Sequence, residues 1–516
     1  MKKYFLQTFG CEMNKADSEK INMVLLQSWL FKVNDYKEAD LVIFNTCSVR
    51  QKWENRVFGI VREILKENKN REKLWINKKI ITWITGCMVR KTWLNKKYLN
   101  ENILRNVAKK IEYISDSNWI FNNDDKLFPK LLNLDFTLRI EEVKFLPFIL
   151  THIYNEKIWN DDKFDDYLKL AQLRENNFQA SIIIQTWCDN YCSFCIVPYT
   201  RWKEISRDEN DIISEVNKIS NSNVKEISLI WQNVNSYWKQ FVDKKMWNDE
   251  KSKWQITHSS LIDNSSFTKW FIWETKKFIS PFRKLLNKLD ETSGIDRIRF
   301  TSSNPHDMTK DILDAHFELK KTCNYLHFAL QSGNDEILKK MNRKHTYEDF
   351  KKQVLYLRNI DPFFSISTDI IVWFSWETEE MFNDTVKAIK ELELDFVYIA
   401  RYSVRSWTIA SKIYPDDVPD NIKAERWHIL NSVLEENVKK RWEKMIWKIE
   451  EILISWEKEW QFFWRTRNFK EVFFSKHILN SSLIGGPWRV YNIWDIVKVK
   501  ITWINDWVLI WEIESN

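Results

Sequence analysis

Cys188, Cys192 and Cys195 stand in the spacing Cys-x3-Cys-x2-Cys, directly after the apolar run Ala180–Gln185. Three thiolates on one loop can ligate three irons of a [4Fe–4S] cluster and leave the fourth open. The reading that follows is a cluster whose open iron chelates S-adenosylmethionine. A closed zinc site is the competing reading, but it needs four ligands, and no further Cys or His lies close by in sequence. Inert core thiols are the third reading.

Three further cysteines share a placement. Cys11, Cys47 and Cys87 each follow an apolar run, Lys3–Thr8, Asp40–Thr46 and Ile80–Thr85. Parallel strands of an α/β sheet end on one edge, so thiols just past three carboxyl ends converge. Singly, each is a small buried residue as readily as a ligand. Their company, Gly10 before Cys11, Asn45-Thr46 before Cys47 and Gly86 before Cys87, favours a second three-cysteine cluster. Cys323 has no such company and reads as core.

The elements that must position these residues are a strand–helix alternation. Helical segments are expected near Ser18–Phe31 and Glu54–Glu67, and residues 1–115 form an N-terminal parallel α/β domain. Residues 116–173, rich in Asn, Lys and Asp, read as a linker with some helix. Strand candidates Ala180–Gln185, Val224–Ile230, Arg297–Thr301, Tyr325–Leu330, Ser365–Val372 and Phe396–Tyr402 then alternate with helices over 174–438. Six βα units make an open, partial barrel with its chemistry at the strand carboxyl ends. A polar stretch at about 241–277 interrupts it as a surface insertion. Residues 440–514, with short alternating runs and turn signals, read as a small all-β barrel.

Composition bounds the class. The 516 residues exceed one ordinary core, and 44% hydrophobic with 29% charged residues describes a globular protein. No apolar run reaches membrane-span length and no signal peptide is seen, so a cytoplasmic location is expected, without membrane contact. Seven cysteines, an odd number, argue against a disulfide framework. A net charge of +7 permits nucleic-acid binding without demanding it. The chain also holds 29 Trp against 7 Gly, and together they make up the share that glycine alone ordinarily takes. Trp187, Trp238, Trp376 and Trp407 sit where a turn calls for a residue tolerating positive φ. The expectation is that UGA codons meaning glycine have been read as tryptophan. The rival, a Trp-rich surface for base stacking, places indoles on exposed faces instead.

The motifs resemble those of the radical S-adenosylmethionine tRNA methylthiotransferases nearly end to end. They run through Thr8-Phe-Gly-Cys-Glu-Met-Asn14, Asn45-Thr-Cys-Ser-Val-Arg50, Glu54-Asn-Arg-Val-Phe-Gly59 and Gly86-Cys-Met-Val-Arg90. The match continues through Cys188 to Arg207, Gln232-Asn-Val-Asn-Ser-Tyr237, Arg297-Ile-Arg-Phe300, Leu330-Gln-Ser-Gly333, Asp369-Ile-Ile-Val372, Glu377-Thr378, Tyr402-Ser403 with Arg405, and Arg465-Thr-Arg467. Where the family carries Gly, this chain shows Trp187, Trp202, Trp373 and Trp376. Ser375, Val404 and Ile409 replace its usual prolines.

The resemblance implies two [4Fe–4S] clusters, one on Cys188, Cys192 and Cys195 and an auxiliary one on Cys11, Cys47 and Cys87, with S-adenosylmethionine as cofactor. It implies methylthiolation of C2 of an N6-isopentenyl-adenosine next to the tRNA anticodon, with sulfur delivered from the auxiliary cluster. Sister substrates, threonylcarbamoyl-adenosine tRNA or a ribosomal-protein aspartate, stay open, as does a non-catalytic RNA-binding iron–sulfur protein. Gln232, Asn233, Asp369 and Glu377 are candidates to line the cofactor pocket. The β tail resembles a TRAM domain, and its Arg465, Arg467 and Lys470 are candidates for tRNA phosphate contacts. Arg201 and Arg207 are candidates to pair with phosphate or the cofactor carboxylate. Partners implied are the tRNA anticodon stem-loop, an electron donor such as flavodoxin or ferredoxin, and a sulfur source.

Overall fold

The computed structural model describes residues 2–47, 51–75, 79–89, 93–94, 134–156, 158, 167–174, 178–201, 204–238, 279–416, 418–458, 461–475, 495–505 and 508–513. The stretch expected to be an insertion, about 241–277, lies outside them, as do residues 116–133, 157 and 159–166 of the expected linker. The chain divides into two compact units. The first comprises Met1–Glu175, Ser181–Arg207 and Ser403–Asp417, and the second Asn176–Ala180, Asp208–Tyr402 and Val418–Asn516.

The first unit is built on a six-stranded sheet of order β2-β1-β3-β4-β6-β5. Its strands are β1 (Lys3–Thr8), β2 (Phe31–Lys32), β3 (Leu41–Thr46), β4 (Ile81–Gly86), β5 (Trp93–Leu94) and β6 (Phe136–Thr137). Every residue of β3 and β4 is buried, as central parallel strands covered on both faces require. Helices α1 (Glu12–Gln27) and α2 (Gln51–Lys73) connect them. The domain reading needs one correction. β6 pairs in parallel with β4, Trp83 opposite Phe136, so part of the expected linker is a strand of the N-terminal sheet. The helix Leu146–Tyr154 also belongs to this unit.

The second unit carries the expected βα alternation. Here β10 (Glu226–Ile230) pairs with β11 (Arg297–Phe300), while β7 (Gln179–Ile183) has Gln179 and Ala180 in this unit and Ser181–Ile183 in the first, where the short strands β8 (Gln185–Thr186) and β9 (Ile205–Ser206) follow. The other sheet runs β12-β13-β14, over Tyr325–His327, Ser365–Val372 and Phe396–Arg401. The recorded pairings within both are parallel. Parallel bridges Ile298 to Thr322 and Ser303 to Phe328 join β11 to the β12 edge. Strands β15 (Ile449–Lys458), β16 (Gln461–Thr466), β17 (Glu471–Ser475), β18 (Ile496–Asn505) and β19 (Val508–Ile513) close a five-stranded barrel of order β15-β16-β17-β19-β18. Closure removes the exposed edges that five short strands would otherwise present.

Candidate functional site

The auxiliary cysteines leave neighbouring strands at one edge. Thr8 pairs with Asn45 and Thr46 with Gly86, so β1, β3 and β4 end in register. Two glycines make the convergence possible. A Cβ on Gly10 (φ +143°) would lie 2.8 Å from Cys47 Cβ and 2.4 Å from Asn14 Oδ1, and one on Gly86 (φ +87°) would lie 2.4 Å from the Thr46 carbonyl. Cys87 N–H donates to Thr46 O at 2.7 Å. Asn14 Nδ2 donates to Asn45 Oδ1 and Thr46 O, both at 3.1 Å, while Asn45 Nδ2 returns a bond to Asn14 O at 2.7 Å. This buried amide pair joins the Cys11 turn to the Cys47 turn.

Cys11 is exposed and stands at the N-cap of α1. Cys47 and Cys87 are buried. Burial pushes the Cys87 thiol up, against the pull of Arg201 and with the push of Cys11. Buried thiols that resist ionisation beside one another fit a site where a cation takes up the charge. Among the described residues no three Cys, His, Asp or Glu groups gather closely enough around one metal ion. A four-iron cluster binds each thiolate to a different iron and so asks for a wider set.

The second triplet lies on the loop after the short strand Gln185–Thr186. Cys195 N–H donates to Cys192 O at 2.9 Å, turning the loop on itself. Asn190 Nδ2 reaches Cys188 Sγ at 3.4 Å, and Asp189 N–H is held by Glu204 Oε2 at 3.1 Å. Burial pushes the Cys188 thiol up, reinforced by Cys192 and Cys195. Both triplets belong to the first unit.

Sequence reasoning missed what surrounds the auxiliary set. Arg201 does not serve as a phosphate contact: it is 1% exposed, its Nη2 lies 2.7 Å from Asp17 Oδ2, and it lies within electrostatic reach of the Cys87 thiol. Tyr167 O–H also donates to Asp17. Arg405 pairs with Glu54 at 3.0 Å and lies within electrostatic reach of Cys47. A polar helix start at Glu12-Met-Asn-Lys-Ala-Asp17 was the available signal.

The four cofactor candidates belong to the second unit. Gln232 follows β10, and its buried Oε1 has no hydrogen-bond partner among the described residues. Asn233 is buried, its Nδ2 2.7 Å from Asp307 Oδ2. Asp369, on β13, lies 3.5 Å from His327 Nε2 with its side chain 43% exposed. Glu377 accepts from the Trp373 amide at 2.7 Å and pairs with Arg426 at 2.9 Å. Burial pushes its carboxyl up to about 7, against the Trp373 amide and Arg426. Glu377 therefore ties the turn after β13 to the helix Asp420–Glu443.

The tail residues separate. Arg465 is partly exposed and reaches Glu471 at 3.0 Å. Arg467 donates to the carbonyls of Lys320 and Thr322 at 2.8 and 2.9 Å. Lys470 is a correction: it is 1% exposed and its ammonium lies 2.8 Å from Ser365 Oγ and 3.2 Å from Asp395, out of reach of a phosphate. Cys323 is buried, as expected of a core thiol.

A radical SAM superfamily profile matches residues 182–389, and one described as the uncharacterized protein family UPF0004 matches residues 3–104. The tRNA-2-methylthio-N(6)-dimethylallyladenosine synthase of Protochlamydia amoebophila is 32% identical over 91% of this chain and 87% of its own length. The protein of that name from Caldicellulosiruptor saccharolyticus is 33% identical over 88% and 82%. The chain belongs to the tRNA-2-methylthio-N(6)-dimethylallyladenosine synthase family. Within this family frame the six cysteines divide by domain, three in the UPF0004 match and three in the radical SAM match. Among the described residues no helix is long and apolar enough to cross a membrane.

Proposed function

We propose that this chain is a radical SAM methylthiotransferase that places a methylthio group on C2 of an N6-isopentenyl-adenosine beside a tRNA anticodon. The observation that carries the reading is the pairing of two cysteine triplets in one compact unit with near full-length similarity to relatives of that name. Cys188, Cys192 and Cys195 would hold the cluster that meets S-adenosylmethionine, and Cys11, Cys47 and Cys87 the one that carries sulfur. Bound there, the first cluster would supply the electron for reductive cleavage of S-adenosylmethionine and the second the sulfur to be transferred, with the methyl group coming from another S-adenosylmethionine; no side-chain base can activate an adenine C–H bond.

The chain's own residues orient and shield. The Asp189 amide on Glu204 and the Asn190 amide on Cys188 fix the first loop. Gln232 Oε1, at the carboxyl end of β10, is an acceptor available to an amino or hydroxyl group of the cofactor. A cytoplasmic location, a flavodoxin or ferredoxin donor and a separate sulfur source belong to the same proposal. Expression in a host lacking its own methylthiotransferase, followed by mass analysis of tRNA nucleosides, tests it. Appearance of the 2-methylthio group on isopentenyl-adenosine is expected. Its absence, with folded protein carrying both clusters, would move the substrate to threonylcarbamoyl-adenosine or a protein aspartate.

A further inference from the structure

Two buried arginines flank the auxiliary cysteines, and neither comes from the sheet that carries them. Arg201 follows the radical-site loop, and Arg405 lies in the segment Ser403–Asp417 of the same unit. Each is anchored by a buried carboxylate of an N-terminal helix, Asp17 of α1 at 2.7 Å and Glu54 of α2 at 3.0 Å. Asp17 is held in turn by Tyr167. These buried ion pairs hold the two guanidinium groups in place, Arg201 within electrostatic reach of Cys87 and Arg405 within reach of Cys47. We propose that Arg201 and Arg405 are positioning residues for the auxiliary cluster, each anchored by a buried carboxylate so that fixed positive charge stays near two of its thiolates and raises its reduction potential. Hydrogen bonds and charge at the sulfurs are levers on such potentials. The inference rests on the reading of Cys11, Cys47 and Cys87 as cluster ligands.

The test uses the full chain with Cys188, Cys192 and Cys195 all replaced by Ala, so that only the auxiliary set can bind. After anaerobic reconstitution, iron and sulfide are counted and the midpoint potential is measured by titration followed by electron paramagnetic resonance. About four irons are expected in this parent; no iron would sink the ligand reading itself. Given iron, R201Q and R405Q are expected to lower the midpoint potential, and R201K to lower it less. An unchanged potential in both Gln variants would overturn the positioning role. Should the Gln variants fail to fold, the uncharged and similarly long R201M and R405M decide: a lowered potential supports the role and an unchanged one overturns it.

A separate observation carries a second inference. Among the described residues, fifteen non-glycine residues take positive φ, and eight are tryptophan: Trp29, Trp75, Trp187, Trp238, Trp373, Trp376, Trp407 and Trp447. Trp29 shows the reason at one of them. After α1 its N–H bonds Leu26 O while Leu30 N–H bonds Leu25 O, the paired closure that ends helices on a left-handed residue, usually glycine. Trp75 repeats the first of those bonds after α2, to Glu72 O. Exposure does not sort the eight, since Trp75 is 92% exposed and Trp187 9%, whereas positive φ is common to all of them. We infer that these eight positions are glycine in the natural protein, specified by UGA. Codon inspection and the mass of the natural peptide spanning residue 187 test this. UGA at the eight codons with a glycine mass is expected; UGG codons or a tryptophan mass overturns it.

Discussion

At the scale of single residues, the two triplets predict a division of labour. On the proposed function the loop cysteines would serve cofactor cleavage and the strand-end cysteines sulfur delivery, so their losses should differ. Cys188→Ala, Cys192→Ala or Cys195→Ala should abolish formation of 5′-deoxyadenosine. Cys11→Ala, Cys47→Ala or Cys87→Ala should spare part of it and block methylthiolation. Equal loss of both products from both triplets, with folding intact, would end that assignment. Lys470 makes a different prediction. Burial alone would raise the Asp395 carboxyl, but Lys470, Arg441 and Arg358 outweigh it and hold the group well below the usual carboxylate range. A depressed native pKa stabilises the fold fully above the ordinary carboxylate value, near 4, and the contribution drains away as the pH falls below it. Lys470→Ala should therefore cost about 1–3 kcal/mol at neutral pH by urea denaturation, with the difference from wild type shrinking in acid. The cysteines were legible because their chemistry depends on spacing. Lys470 was not, because a basic residue near a turn says nothing about which way its side chain points.

At the scale of elements, legibility followed the apolar pattern. β3 and β4 are uninterrupted apolar or small runs, and all six strands of the partial barrel fall within or beside their expected ranges. α1 begins at Glu12, six residues before the expected start, because the face it buries includes Asn14, Asp17, Ser18, Lys20 and Asn22. Apolar periodicity cannot reveal a helix whose buried face is polar. The motif Arg297-Ile-Arg-Phe300 was noticed by resemblance and left without a role, and the structure supplies one. Arg297 donates to Arg465 O at 2.7 Å and Glu451 O at 3.0 Å; Arg299 donates to Arg467 O and Thr466 O, both at 2.8 Å. Two alternate residues of β11 thus bind backbone carbonyls of the small barrel. Arg299 also pairs with buried Glu226 at 3.0 Å. Replacing Arg299 by Leu strands that carboxylate, an effect of about 3–5 kcal/mol, and releases two carbonyls of the barrel. Limited proteolysis should then cut within 449–516 first, while wild type resists; equal resistance would show that the barrel is held by other contacts.

At the scale of the whole molecule, the net charge of +7 overstates nothing but locates nothing either. Arg201, Arg297, Arg299, Arg405, Arg426, Arg441 and Lys470 are buried among internal partners, so these seven of the 79 basic residues are not offered to a nucleic acid. A tRNA substrate must be gathered by the cations that remain on the surface. Neutralised phosphates release counterions, and each such contact lowers the logarithm of affinity by about 0.7–0.9 per decade of salt. The KM for tRNA should therefore rise with salt, while 5′-deoxyadenosine formed in the absence of tRNA should stay level. Arg465→Ala should flatten the dependence, because its side chain is 36% exposed. Lys470→Ala should leave the slope unchanged at any salt where the variant stays folded. A KM indifferent to salt in the parent would mean that the RNA is held by shape and stacking, and that the surface cations of the barrel have no part in its capture.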